Sequence, residues 1–282
     1  MKRAAAAATA GALALALMAG ASGADAQVVT KQYDDGGVYE GTFRNGRQHG
    51  QGTYTLPNGY VYEGDWVEGE IRGQGKATFP NGSVYVGQFV KGKPEGRGKI
   101  TYPDGGTYEG DWIAGEITGE GVARYANGSV YTGQFVKGLH QGKGTLTQPN
   151  GYKYEGQWNA GVKEGQGRIT YPDGAVYEGQ ILAGKREGDG TLTLPDGLEY
   201  VGTWKDGQID GTGTLTQPNG DVYEGELAGG RREGTGKVTY ANGDIYEGEF
   251  KAGKRQGAGT MTYASGQEAS GDWDNGALSD GS

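Results

Sequence analysis

The sequence predicts an all-β chain, an elongated, twisted single-layer antiparallel sheet of successive β-hairpins. Three observations predict it. A tyrosine recurs at 39, 62, 85, 108, 131, 154, 177, 200, 223 and 246, always 23 residues apart. Glycine keeps five fixed places after each tyrosine, as at Gly64, Gly69, Gly73, Gly75 and Gly82. Between the glycines, aromatic or apolar residues alternate with polar ones. A fixed period of this length marks an array in which each unit packs on its neighbours. Alternation favours strand, and so dense a glycine pattern opposes helix.

In chain order, residues 1–26 read as a secretory signal peptide. Lys2 and Arg3 precede the apolar run from Ala4 to Ala21, and Ala24-Asp25-Ala26 supplies a small-residue cleavage site. Cleavage after Ala26 would leave an exported protein, periplasmic or secreted. Residues 27–38 form an N-terminal half repeat, because Tyr33, Asp35 and Gly36 occupy late positions of a missing unit. Ten full repeats fill 39–268. Residues 269–282 form a fading C-terminal half repeat, with Ala269 in place of the tyrosine and Trp273 in its usual place.

Within a repeat, the tyrosine is position 0 and the bulky residue at position 4 is Trp66, Trp112, Trp158 or Trp204 in alternate units. Positions 0, 2 and 4 share one face of an extended strand, and 1, 3 and 5 the other. The first face reads Tyr-Gly-Trp; the second carries Glu63 and Asp65. Gly144-Thr145-Leu146-Thr147 shows a second alternating strand. Pro57-Asn58-Gly59 and Pro103-Asp104-Gly105 end such strands in turns. A second turn is expected near positions 8–10. With no side chain, Gly64 and Gly75 would leave troughs across which the rings of Tyr62 and Trp66 lie.

The pattern Tyr-Glu-Gly-x-Trp/Phe-x-x-Gly-x-x-x-Gly-x-Gly, closed by Pro-Asn/Asp-Gly, resembles the MORN repeat. Tyr108-Glu109-Gly110-Asp111-Trp112 and Gly119-Glu120-Gly121 match it closely. The resemblance implies successive antiparallel hairpins. It also implies protein association, dimerisation, or contact with membranes and phosphoinositides. Junctophilins and plant phosphatidylinositol-phosphate kinases carry such repeats beside other domains. Here the repeats fill the sequence from 33 to about 276, so a kinase activity is not implied.

Composition narrows the chemistry. Leu, Ile, Val and Phe make up only about 15% of the chain, so glycine and tyrosine must supply the core. The absence of cysteine excludes disulfides, thiolate zinc sites and thiol nucleophiles. A net charge of −9 disfavours nucleic acid as a partner. His49 and His140 lie four repeats apart, roughly 40 Å at two strands per repeat, and read as solvated turn residues. The glutamates at position 1, such as Glu63, Glu109 and Glu155, read as a solvated polar face. No catalytic, metal or cofactor site is expected.

Two surfaces remain as candidates. One is the aromatic face of Tyr62, Trp66, Tyr108, Trp112, Tyr154, Trp158, Tyr200 and Trp204. It serves either as the core or as a seat for a partner or glycan. The other is a basic turn edge of Lys185, Arg186, Arg231, Arg232, Lys254 and Arg255, either solubilising or in contact with anionic headgroups. The expected function is a non-catalytic envelope scaffold that binds a protein partner or itself. A homodimer through the terminal edge strands fits this expectation. The alternative is a module that binds a membrane surface or cell-wall glycan.

Overall fold

The computed structural model describes residues 27–279. The signal-peptide reading of 1–26 lies outside the described residues. The chain divides after His140 into two units. In each, every strand pairs antiparallel with its neighbours in sequence, and no described residue is helical. Each repeat gives a seven-residue strand and a nine-residue strand, as in Val61–Val67 and Glu70–Thr78.

The two strands of a repeat are joined by a two-residue turn at positions 6 and 7. Both residues have positive φ, +51° at Glu68 and +89° at Gly69. That is the type I′ geometry whose twist matches a hairpin. The expectation of a turn at positions 8–10 is therefore corrected: those residues open the nine-residue strand. Successive repeats are joined by the other turn, in which Gly59 N–H bonds to Leu56 C=O and Asn58 Oδ1 accepts from Tyr60 N–H. Gly59, at φ +88°, takes the left-handed position that closes this loop.

Pairing runs regularly through Gly64–Gly75 and then jumps to Trp66–Ile71. The jump is a bulge opposite Asp65, and it recurs in both units, for example between Gly202 and Trp204. Asp65 fills the gap, since its Oδ2 accepts from Gln74 N–H at 2.7 Å. Its backbone C=O accepts from the Tyr62 hydroxyl at 3.0 Å. The tyrosine ring thus folds back along its own strand. It lies over Gly64 and Gly75, where a methyl group at Gly75 would sit 2.5 Å from ring atoms. The same hydroxyl bond recurs at all ten tyrosines, from Tyr39 to Tyr246. These rings are 0–2% exposed. A one-layer sheet therefore has a dry core on one face, built from rings lying on bare backbone.

The half repeats continue the pattern. Val29–Gln32 pairs with residues 38–41, and Glu268–Asp274 pairs with residues 257–262, burying Trp273.

A substitution at the ring seat tests this packing. Gly75→Ala is expected to lower the urea midpoint by an amount equal to about 1–3 kcal/mol, because the pinned Tyr62 ring has nowhere to move. A neutral Gly75→Ala would show that the ring is free to shift.

Candidate functional site

The aromatic face is a chain of edge-to-face rings. In the first unit, Tyr62 lies 5.7 Å from Trp66 and 5.1 Å from Phe89, and Tyr85 lies 5.0 Å from Trp112. In the second, Tyr200 lies 5.5 Å from Trp204, and Tyr246 lies 5.1 Å from Trp273. Each indole N–H reaches the preceding repeat: Trp66 donates to Gly52 C=O and Trp204 to Gly190 C=O. Such pairs add to area burial and bind neighbouring repeats together. All eight aromatic candidates, Tyr62, Trp66, Tyr108, Trp112, Tyr154, Trp158, Tyr200 and Trp204, are at most 6% exposed. Their ring faces are core, closed to a sugar or a partner side chain. Burial also pushes the Tyr108 and Tyr154 phenols up to about 12.

The basic candidates separate by alternation along the strand. Lys185, Arg231 and Lys254, at position 8, point to solvent. Arg186, Arg232 and Arg255, at position 9, turn onto the aromatic face and are only partly exposed. The Arg186 guanidinium lies 4.1 Å from the Trp204 ring centre and donates to Gly207 C=O at 2.6 Å. Arg255 repeats this over Trp273, with a bond to Gly276 C=O. Arg232 covers Tyr223 at 5.3 Å. Three of the six candidates for anion contact are thus lids on the core, held by cation–π attraction. In the first unit the same position holds Gln48, Ile71, Pro94, Ile117 and His140.

Position 10 has a role that alternation alone does not reveal. Its side chain accepts the N–H of the first residue in the next repeat's type I′ turn. Glu95 does so for Ala114, Glu187 for Asp206 and Glu233 for Ala252. The second turn residue bonds to the backbone at position 9, as Gly115 N–H does to Pro94 C=O. Neighbouring hairpins are tied turn to turn. The sequence signal was a hydrogen-bond acceptor at position 10 in most repeats.

The histidines are corrected too. His49 lies in the strand Arg47–Thr55. His140 stacks on Tyr131 at 3.6 Å, and its Nε2 meets the Tyr125 hydroxyl at 2.7 Å. Burial lowers its pKa to about 4. The unfolded chain would bind the proton more readily, so His140 erodes stability as pH falls from about 6.5 to about 4. Of the position-1 glutamates, Glu63, Glu155, Glu178 and Glu247 pair with cations on the polar face, as in Glu63–Lys76 and Glu178–Arg168. Among the described residues no group of three or more His, Asp or Glu is placed to hold a metal.

The MORN repeat family model matches ten times, at 39–59, 62–84, 85–107, 108–130, 131–151, 154–176, 177–199, 200–222, 223–245 and 246–268. The chain belongs to the MORN repeat family. No curated protein matches it. Similar solved structures include the TCP10 domain of Danio rerio CPAP in complex with a peptide of Danio rerio STIL. That likeness has 16% identity, covers 87% of this chain and 94% of the other, and has a TM-score of 0.38. The TCP domain of Drosophila melanogaster SAS-4, with a proline-rich motif of Ana2, is similar at 15% identity. It covers 76% of this chain and 99% of the other, with a TM-score of 0.33.

With its aromatic face closed, the MORN array meets its surroundings through its polar face and its turns. In the first unit, position 5 is apolar in four successive repeats. Val67, Val90, Ile113 and Val136 are 39%, 40%, 55% and 45% exposed, and Leu139, across the hairpin from Val136, is 51% exposed. Sequence alternation assigns position 5 outward, and each of these residues alone is an ordinary strand former, so they carry no separate sequence signal.

Arg186→Ala is expected to cost about 1–2 kcal/mol in urea unfolding, through its lost ring contact and hydrogen bond. Lys185→Ala should stay within about 0.5 kcal/mol. Equal effects would contradict the inward and outward assignment.

Proposed function

We propose that this protein is a non-catalytic MORN scaffold that binds another protein through the first unit. The row Val67, Val90, Ile113, Val136 and Leu139 carries the reading. Scattered surface valines need no explanation, but here an exposed apolar residue recurs on every second strand along one edge, and Val136 and Leu139 stand side by side at its end. Turns of one edge recur every two strands, about 9.6 Å apart, so the row presents a regular ladder to an elongated partner. Between them stand the exposed Glu70, Lys93 and Glu116, paired across the hairpins with Val67, Val90 and Ile113, so the edge alternates apolar and charged rungs. The place of action is the cell envelope, a reading that rests on the leader-like residues 1–26.

The test is a photo-crosslinking side chain placed at Ile113 and, for comparison, at Gln74. Specific protein adducts are expected from Ile113 and not from Gln74. They should vanish when Val90 and Val136 are changed to Ser with the urea midpoint preserved. Adducts that survive those changes, or none at Ile113, would contradict the reading.

A further inference from the structure

The second unit carries charge of opposite sign on its two edges. On the type I′ edge, Lys185, Lys205, Arg231, Lys251 and Lys254 are exposed. Of these, only Lys185 has an ion pair among the described residues, with Asp206 at 3.0 Å. Lys251 and Lys254 stand directly opposite each other across the hairpin. Like charges so placed repel and destabilise, so this edge carries more cation than the fold needs. On the opposite edge, in the loops between repeats, lie Asp173, Asp196, Asp221 and Asp244. Each accepts hydrogen bonds only from neutral groups, such as Ala175 N–H for Asp173 and Ala241 N–H for Asp221. None of the four has an ion pair among the described residues.

We propose that the second unit binds a second copy of this chain side by side, its cationic edge against the anionic edge of the neighbour. The argument is charge complementarity combined with pitch. Both edges belong to one sheet, and each contributes one turn per repeat. Their rungs therefore recur at the same spacing, about 9.6 Å. A cationic rung on one copy therefore falls opposite an anionic rung on the next at the same interval, and copies that follow one another's twist keep successive rungs in register. The aspartates span repeats 6 to 9 and the cations repeats 7 to 10, so four rungs engage in a small stagger. The two edges differ, so the contact is heterologous and does not close on itself. It builds open rows, which suits a scaffold. The inference rests on the scaffold reading but uses a different unit and a different surface.

The experiment is sedimentation velocity on the exported chain, with two charge-reversed variants. One carries Arg231→Glu, Lys251→Glu and Lys254→Glu; the other carries Asp196→Lys, Asp221→Lys and Asp244→Lys. Wild type should grow in mass with concentration at low salt. It should fall back to monomer near 1 M salt, where screening reaches about 3 Å. Each variant alone should associate roughly tenfold more weakly, or not at all, because its edges then repel. Mixing the two should restore association. If the lysine variant misfolds, the triple Asp→Asn variant, which keeps the accepting oxygens, should still weaken wild-type assembly. A wild type that stays monomeric, or association that ignores all variants, overturns the proposal. Crosslinking at Ile113 is read separately, so the partner-binding reading would survive that outcome.

Discussion

Every repeat depends on one contact: a tyrosine ring lying on two glycines. A single-layer sheet has no second layer to bury its apolar face. Here the face buries itself. Tyr62 crosses Gly64 and Gly75, where no Cβ stands in the way, and ties its hydroxyl to Asp65 C=O. The bulge at Asp65 is part of the same device, because it opens the carbonyl that the hydroxyl meets. Asp65 closes the remaining gap from the other side through Gln74 N–H. The ring's hydroxyl bond recurs in all ten repeats, and the side-chain acceptor recurs at Asp111, Gln157 and Glu226.

That construction decides which surfaces are free to act. The rings that a sequence reader would offer to a ligand are consumed as core, and Arg186, Arg232 and Arg255 are consumed as their cover. The side chains that the core does not need are left outward: the valines and isoleucine of the first unit and the charges of the second. Turn-to-turn bonds such as Glu95 to Ala114 N–H fix the spacing of those side chains.

The tyrosine and glycine spacing made the fold class and the buried face legible in the sequence. It also revealed the loop at Pro57-Asn58-Gly59. The type I′ turn was misplaced by two residues for a physical reason. Such turns favour Asn-Gly, yet this chain uses Ala114-Gly115 and Ala183-Gly184 at positive φ. A left-handed alanine is strained, and at Ala114 the strain is offset by bonds from the preceding hairpin to Ala114 and Gly115. Those bonds span 19 to 21 residues and leave no local signature. A turn at positions 8–10 makes position 9 a turn residue, which puts the inward arginines and His140 at the surface. The division of the basic candidates became visible only once the strand start was fixed.

The most direct test of the ring-on-glycine account is a spectrophotometric titration of the tyrosines, followed together with circular dichroism. Burial raises the repeat tyrosines Tyr39, Tyr85 and Tyr223 to about 12, from an ordinary 10. Their contribution to stability is complete below about pH 10 and is lost as pH climbs through the raised values. The repeat tyrosines should therefore stay protonated until the sheet melts, and then ionise together with the loss of β signal. Smooth ionisation of all the tyrosines near 10, with the sheet intact, would contradict the account.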